Sequence, residues 1–299
     1  MATQVTMNFL QELHRYQEEQ PYEIFGYPNP DSPIISNCEF KAVDGIPLHN
    51  AREEMEKFTL DSTGFMFLNS PSKELLTAQA IEDASGGEDA INAFVQETIG
   101  FVKEALHATQ VKEWPNEVKS GRYQKDSEDG TSLCVFDSLR YAPCSLNVNE
   151  ILITATDFSY KGGRDRMEMH LLPEELQLLQ SGKYRAILVN AWRPLIKVEN
   201  APLVLCDRRS VKNEDIVEAD KVLPDKVERG AFVFYRSEHQ WYYLPDQTPD
   251  ELTLFTVWSP QNGHTSSAYQ SLIANLPTED LNSPRRESVE LRTIVLLPV

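Results

Sequence analysis

From Leu133 onward the chain is a series of short apolar, β-branched runs separated by turn residues, and no other feature narrows the possible folds as far. The runs are Leu133–Phe136, Ile151–Ala155, Arg185–Asn190, Leu203–Cys206, Ala231–Arg236, Gln240–Leu244, Leu252–Trp258 and Val289–Leu297. Runs this short, β-branched and bounded by Gly, Pro, Asn and Asp read as strands, and many of them in succession predict a β-sandwich or barrel. One helix interrupts at Pro173–Gln180, with proline in its first turn and Gly182 just past its end. A second helix is expected at Glu214–Asp220, behind a Ser/Asn cap.

The first part of the chain reads differently. Val5, Phe9, Leu10, Leu13 and Tyr16 recur at spacings that suit a helix over residues 1–20. Tyr22 to Pro33 turns through Gly26, Pro28 and Pro30 and is expected to be irregular. β-like pieces follow near Cys38–Ala42 and Gly64–Leu68, with a short helix between them at Asn50–Phe58. A long helix is expected next. Ser85-Gly86-Gly87-Glu88-Asp89 supplies its cap and acidic first turn, and Ile91, Phe94, Val95, Ile99, Val102 and Leu106 its apolar face. Pro115 to Gly130 is polar and expected to be loop. With no linker or internal repeat, the expectation is one domain over 1–299. Residues 1–130 would supply mainly helical and irregular flanking elements, and 131–299 the β-rich core of an α+β fold.

Composition removes several function classes. With 28 basic against 46 acidic residues the formal charge is −18. Such a chain is a poor ligand for phosphate backbones or anionic membranes, which need clustered Lys and Arg. No stretch approaches the roughly 18–20 uninterrupted apolar residues of a membrane span. The acidic N-terminus lacks the basic and apolar regions of a secretory signal. Cys38, Cys134, Cys144 and Cys206 contain no C-x-x-C pair, so reduced thiols in a cytoplasmic protein are expected rather than disulfides or zinc.

Chemistry concentrates around Ile151–Arg164, ILITATDFSYKGGR. An apolar strand ends in Thr154-Ala155-Thr156-Asp157 and breaks into an aromatic, glycine-containing loop. Far downstream come Gly263-His264-Thr265 and then Arg286-Glu287-Ser288, which enters the last strand. The order is a carboxylate, a distant histidine, then Arg-x-Ser. A double-stranded β-helix (jelly-roll, cupin-like) oxygenase uses that order, with two histidines and a carboxylate holding iron(II) on one face. An arginine and a hydroxyl then grip a co-substrate carboxylate. Each residue also has a plainer reading. Asp157 is a good turn former before Lys161-Gly162-Gly163, His264 suits a hydrogen-bonded loop, and Arg286 could pair with Glu290 or Asp207. Trp192, Trp241, Tyr242, Tyr243 and Phe255 are the kind of aromatics that fill cores.

Five blocks carry a family resemblance: VNAWRPL (189–195), APLVLCDRRSV (201–211), EHQWYYLPDQTPDELTLF (238–255), GHTSSAY (263–269) and PRRESVELR (284–292). Over roughly residues 130–298 the chain resembles the fungal hydroxylase/desaturase family of the AsaB type. That group is related to gibberellin-desaturase-like proteins and to the small chain of cephem 7α-methoxylase. The resemblance implies a double-stranded β-helix core with flanking helices and a role in secondary metabolism. In intact members it implies iron(II) and 2-oxoglutarate. Carried over, Asp157 is the carboxylate ligand and His264 the distal histidine. Arg286 and Ser288, or Arg292, hold the co-substrate. The proximal histidine falls on Ala155, whose methyl cannot ligate. Trp258-Ser259-Pro260 also stands where the family tends to have an acidic residue.

These readings together predict an oxygenase scaffold without its iron, working on a biosynthetic intermediate as a redox-neutral cyclase, pericyclase or isomerase. Asp157, His264 and Arg286 are the catalytic candidates. Arg193, Ser288, Arg292, Trp192, Phe158, Trp258 and Tyr269 are the candidates for binding substrate. No cofactor is expected, and any metal would have to use Asp157 and His264. The alternatives are an iron(II)/2-oxoglutarate oxygenase with atypical ligands and a non-catalytic partner subunit. The expected partner is a small molecule, with homodimerisation open.

Overall fold

The computed structural model describes residues 3–24, 35–74, 76–77, 88–113, 134–135, 139–143, 155–199, 201–224, 226–261, 269–272, 284 and 286–299. The N-terminal strands are β1 (Thr3–Leu10), β2 (Tyr22–Ile24), β3 (Ile35–Ser36), β4 (Phe40–Asn50) and β5 (Phe65–Asn69). Helix α1 (Glu88–Ala105) follows, then β6 (Gln110–Glu113), β7 (Cys134–Val135), β8 (Leu139–Pro143) and β9 (Ala155–Thr156). Two helices come next, α2 (Tyr160–His170) and α3 (Pro173–Gln180). The remaining strands are β10 (Tyr184–Pro194), β11 (Leu203–Cys206), β12 (Ile216–Val222) and β13 (Val227–Val233). After them come β14 (Trp241–Tyr243), β15 (Glu251–Trp258), β16 (Tyr269–Leu272) and β17 (Glu287–Pro298).

The strands form two sheets. One is ten-stranded, ordered β1-β4-β14-β11-β16-β9-β13-β12-β2-β3. The other is seven-stranded, ordered β5-β15-β10-β17-β8-β7, with β6 also on β17. The chain is therefore β-rich, with few helices.

The centre of the seven-stranded sheet is buried on both faces. On β10 and β17, Leu188, Trp192, Ile294 and Leu296 face a core that also holds Leu203 and Leu205 of the other sheet. Ile187, Val189, Leu291 and Val295 face the opposite way, into a core shared with Phe94, Val95 and Val102 of α1. Burial on both sides explains why β10 and β17 show no apolar/polar alternation; both faces need apolar residues.

Two expected helices are strands. Residues Thr3–Leu10 form β1, antiparallel to β4, with Val5, Met7 and Phe9 buried. Val5, Met7 and Phe9 also satisfy a period of two, and the β4 partner decides between the two periods. Glu214–Asp220 is likewise not helical; Ile216–Val222 is β12, paired along its length with β13. The described part of 1–130 contributes β1 to β6 to the two sheets, so its contribution is largely strand rather than helix.

The reverse error occurs at Tyr160–His170, read as a glycine-containing loop and folded as α2. Ser159 caps it, its Oγ accepting from the Gly162 N–H at 3.1 Å, while its own N–H donates to Arg229 O at 2.7 Å. The two glycines that weaken helix propensity are what lets the helix sit down. A Cβ on Gly162 would meet the Arg229 carbonyl, and a Cβ on Gly163 would meet the ring of Trp258. Trp258 Nε1 donates to Tyr160 O at 2.7 Å, closing the contact. Arg166 is mostly buried and paired with Glu228 on β13.

Gly163→Ala should therefore cost about 1–3 kcal/mol of stability through overpacking. Gly100→Ala, in α1 with nothing within 4 Å of the added methyl, should gain about 0.5–1 kcal/mol from helix propensity. Urea denaturation of both variants checks the pair; equal effects would contradict the close seat of α2.

Candidate functional site

Asp157 is the joint between strand and helix. It follows β9, whose Ala155 pairs with Phe232 of β13 and Gln270 of β16, and it precedes the Ser159 cap of α2. From the ten-stranded sheet its carboxylate reaches the other sheet. Oδ2 accepts from Asn190 Nδ2 at 2.8 Å and lies 3.1 Å from Arg292 Nη2. Asn190 on β10 and Arg292 on β17 are direct cross-strand partners, and Phe255 on β15 is the next residue in that row. Cross-strand partners share a face, so the register alone points both polar groups at Asp157.

Every side of Arg292 is occupied. Its guanidinium lies over the Phe158 ring, 5.5 Å from the centroid, and its Nε is 3.9 Å from Glu290 Oε1. Burial alone would lower its pKa. Asp157, Glu290 and Glu228 outweigh that, and the pKa is raised. A buried guanidinium needs such partners, because an isolated buried charge is strongly penalised. Two buried atoms of the row have no hydrogen-bond partner among the described residues, Asn190 Oδ1 and Arg292 Nε.

Arg286 and Trp192 form a second group. Arg286 Nη1 donates to Ala201 O at 2.7 Å, and the guanidinium lies 5.8 Å from the Trp192 ring centroid. Ala201 has φ of 49°, the left-handed region that costs a non-glycine residue about 1 kcal/mol or more, so Arg286 secures a strained turn leading into β11. Ser288 is buried and opposite Pro194.

Two candidates lie elsewhere. Arg193 follows Trp192 on β10 and so points to the other face of the sheet. There it donates to Ser70 O at 2.9 Å and to Pro249 O, over the ring of Phe101 in α1. It braces the α1 side and does not reach Asp157. Trp258 is committed to the seat of α2. Tyr269 is in β16 with its backbone opposite Cys206, and His264 lies outside the described residues. Asn190 was missed. Its signal was present: a lone amide inside the apolar run RAILVNAW is a buried polar residue, and those are informative.

Iron(II) in an oxygenase of the resembled kind needs three donors on one face. The position to which the resemblance assigns the proximal histidine, 155, holds alanine. Asp157 Oδ2 already accepts from an amide and pairs with a guanidinium. Among the described residues no three His, Cys, Asp or Glu side chains converge. The described residues do not fit an iron centre.

Removing either Asp157 or Arg292 should break a buried ion pair. Asp157→Asn and Arg292→Gln are each expected to cost about 3–5 kcal/mol. The double variant should cost less than the sum of the two by about 0.5–3 kcal/mol. Denaturant unfolding of the four proteins measures the coupling, and strict additivity would show that the pair does not interact.

Residues 7–296 match the family model described as "Oxidoreductase/YMDC permease-like domain". The chain is 25% identical over 265 residues to the hydroxylase/desaturase efuI of Hormonema carpetanum, covering 84% of this chain and 82% of that one. It is 25% identical over 254 residues to the alpha-ketoglutarate-dependent dioxygenase tstK of Talaromyces stipitatus, covering 84% of each. Among solved structures, the iron and alpha-ketoglutarate-dependent endoperoxidase NvfI superposes with a TM-score of 0.75 at 19% identity, over 99% of both chains. That likeness is one of fold. The chain belongs to the oxidoreductase/YMDC permease-like domain family, in the group of the fungal hydroxylase/desaturase proteins.

Proposed function

We propose that this protein is a secondary-metabolite enzyme, built as a single domain on the double-stranded β-helix of the iron(II)/2-oxoglutarate oxygenases, that works on a small intermediate without iron. The observation that carries the reading is the state of the ligand positions. Ala155 offers no lone pair, and Asp157 is spent on Asn190 and Arg292. The chemistry left to such a site is redox-neutral: cyclisation, isomerisation or a pericyclic step.

In that reading Asp157 is a fixed counter-charge to Arg292. Asn190 Oδ1 and Arg292 Nε are a buried acceptor and donor on neighbouring strands, and neither has a hydrogen-bond partner among the described residues. Leaving such atoms unsatisfied costs about 1–3 kcal/mol each. A substrate carrying a carbonyl beside a hydroxyl or enol would satisfy both at once. Phe158, Trp192 and Phe255, all buried between the sheets, would hold the carbon skeleton. Fixing one reactive conformer in this way can by itself lower a barrier by several kcal/mol. Arg193, on the far face, has no part in it.

A second reading is an iron(II)/2-oxoglutarate oxygenase with an atypical ligand set. The names of the relatives favour it: hydroxylase/desaturase and alpha-ketoglutarate-dependent dioxygenase. Taken alone, the comparisons support this reading better than the first; it is the side chains of this chain that depart from it. Reconstitution with iron(II) and 2-oxoglutarate, followed by elemental analysis, separates the two. We expect well under half an equivalent of retained iron and no succinate release. A site that lacks a ligand should not hold the ion through desalting. Retention of more than about half an equivalent would favour the second reading.

A further inference from the structure

A second buried ionic group stands at the C-terminal end of β13, away from Asp157. Residues 234–240 connect β13 to β14, and Asp215, just before β12, holds that connection. The Phe234 N–H donates to Asp215 O at 2.8 Å. Asp215 Oδ2 accepts from the Lys212 N–H at 2.9 Å and lies 3.3 Å from His239 Nε2. Asp215 Oδ1 lies 2.8 Å from Arg236 Nε. The other end of that guanidinium grips exposed Glu12, just past β1, at 2.8 and 3.1 Å. Asp215 and His239 are each only 2% exposed, so both sit out of water.

The geometry suits one protonation state of His239. A carboxylate only accepts, so Nε2 carries the hydrogen and donates to Asp215. Nδ1 is buried and has no hydrogen-bond partner among the described residues. In the neutral ring it is a bare lone pair; in the charged ring it becomes a second donor with nothing to receive it. Burial is the largest influence on the ring and lowers its pKa; Asp215 and Glu238 pull it back up, and Arg236 lowers it further. Lys212 is exposed and turned to Glu214. The strands bring rings rather than charges: Trp241 of β14 meets His239 at 6.5 Å, and Phe9 of β1 meets Trp241 at 6.0 Å.

We propose that His239 is an acid-sensitive latch on the end of β13. With the ring neutral, Asp215 is shared between His239 and Arg236, and the connection stays tied to β12 and to Glu12. A proton on Nδ1 places a second cation beside Arg236 and a buried donor without an acceptor, and the connection opens. The latch bears on the site through β13. Phe234 is two residues past Phe232, which pairs with Ala155 on the strand that leads into Asp157. This holds whether or not the centre uses iron. Because the folded ring resists a proton and the unfolded ring does not, its contribution to stability is present above the unfolded pKa of about 6.5 and is lost as the pH falls below it.

Native-state hydrogen exchange followed by NMR tests this on the full chain, comparing wild type with His239→Gln. Glutamine keeps a donor for Asp215 and does not titrate. His14, His49, His107, His170 and His264 are common to both proteins. The amides to follow are Phe234, bonded to Asp215 O, and Asp207, bonded to Gln240 O. Between pH of about 7.5 and about 5.5, their protection, corrected for the intrinsic rate, should fall about ten-fold more in wild type than in the variant, the effect of one proton taken up on opening. The amides of β17 should stay better protected than these two. Equal pH dependence in the two proteins overturns the proposal. So does equal protection of β17 and the connection, since only whole-chain unfolding would then respond. Should His239→Gln fail to fold, the ¹⁵N shifts of the wild-type ring decide. A neutral ring with its hydrogen on Nε2 at pH of about 6 supports the latch, and a ring already charged there with Phe234 still protected overturns it.

Discussion

The ion pair between Asp157 and Arg292 is the interaction on which the interior of this protein depends. It is the point where the two sheets exchange charge rather than apolar contact, and it fixes how each may be arranged. Side chains alternate along a strand, so a slip of one residue in β17 would turn Arg292 toward α1 and into the apolar cluster of Phe94, Val95 and Val102. A slip of β10 would do the same to Asn190. Replacing a buried ion pair by a well-packed apolar pair is often neutral for stability, since burying two charges is expensive. What the charges add is a single permitted register between β10 and β17, and a defined polar row inside an otherwise apolar core.

That row is set from the other side by α2. Ser159 begins the helix two residues after Asp157, and its N–H is tied to Arg229 O on β13. The glycine pair then allows the helix to settle against Arg229 and Trp258 with no side chain between. Arg229 and Asp165 add an ion pair at 2.9 Å along the same contact. Local sequence, a serine cap followed by two glycines, thereby determines packing. Packing determines where the carboxylate at the end of β9 can point. Trp258, in a position the family resemblance associates with an acidic residue, is the surface on which the helix lands.

Much of the β-rich half was legible because its signals are local. The runs at Leu203–Cys206 and Leu252–Trp258 are strands at or close to their expected bounds, and Pro173–Gln180 is a helix with the expected ends. Its proline and its flanking glycine act within a few residues. The errors share one cause, which is that a distant partner decided. β1 needed β4, β12 needed β13, and α2 needed the carbonyl of Arg229 and the ring of Trp258. The site divides the same way. Ala155 in place of a ligand can be read from one block of sequence. That Asp157 would find Asn190 and Arg292 follows only from the register of strands far from it along the chain. Arg193 was misplaced for the same reason; which face of β10 it takes depends on what covers each face.

The relatives and this chain belong to one family, and the reading proposed here turns on the chemistry around one carboxylate. A family of hydroxylase/desaturase proteins supplies the architecture, while here the residue two before Asp157 is an alanine. The most direct measurement is a crystal structure of the wild-type protein grown anaerobically with excess iron(II) and 2-oxoglutarate, with data collected at the iron absorption edge. The account predicts Arg292 still against the Asp157 carboxylate and no anomalous peak beside it. An anomalous peak at bonding distance from Asp157, with Arg292 turned away, would contradict it.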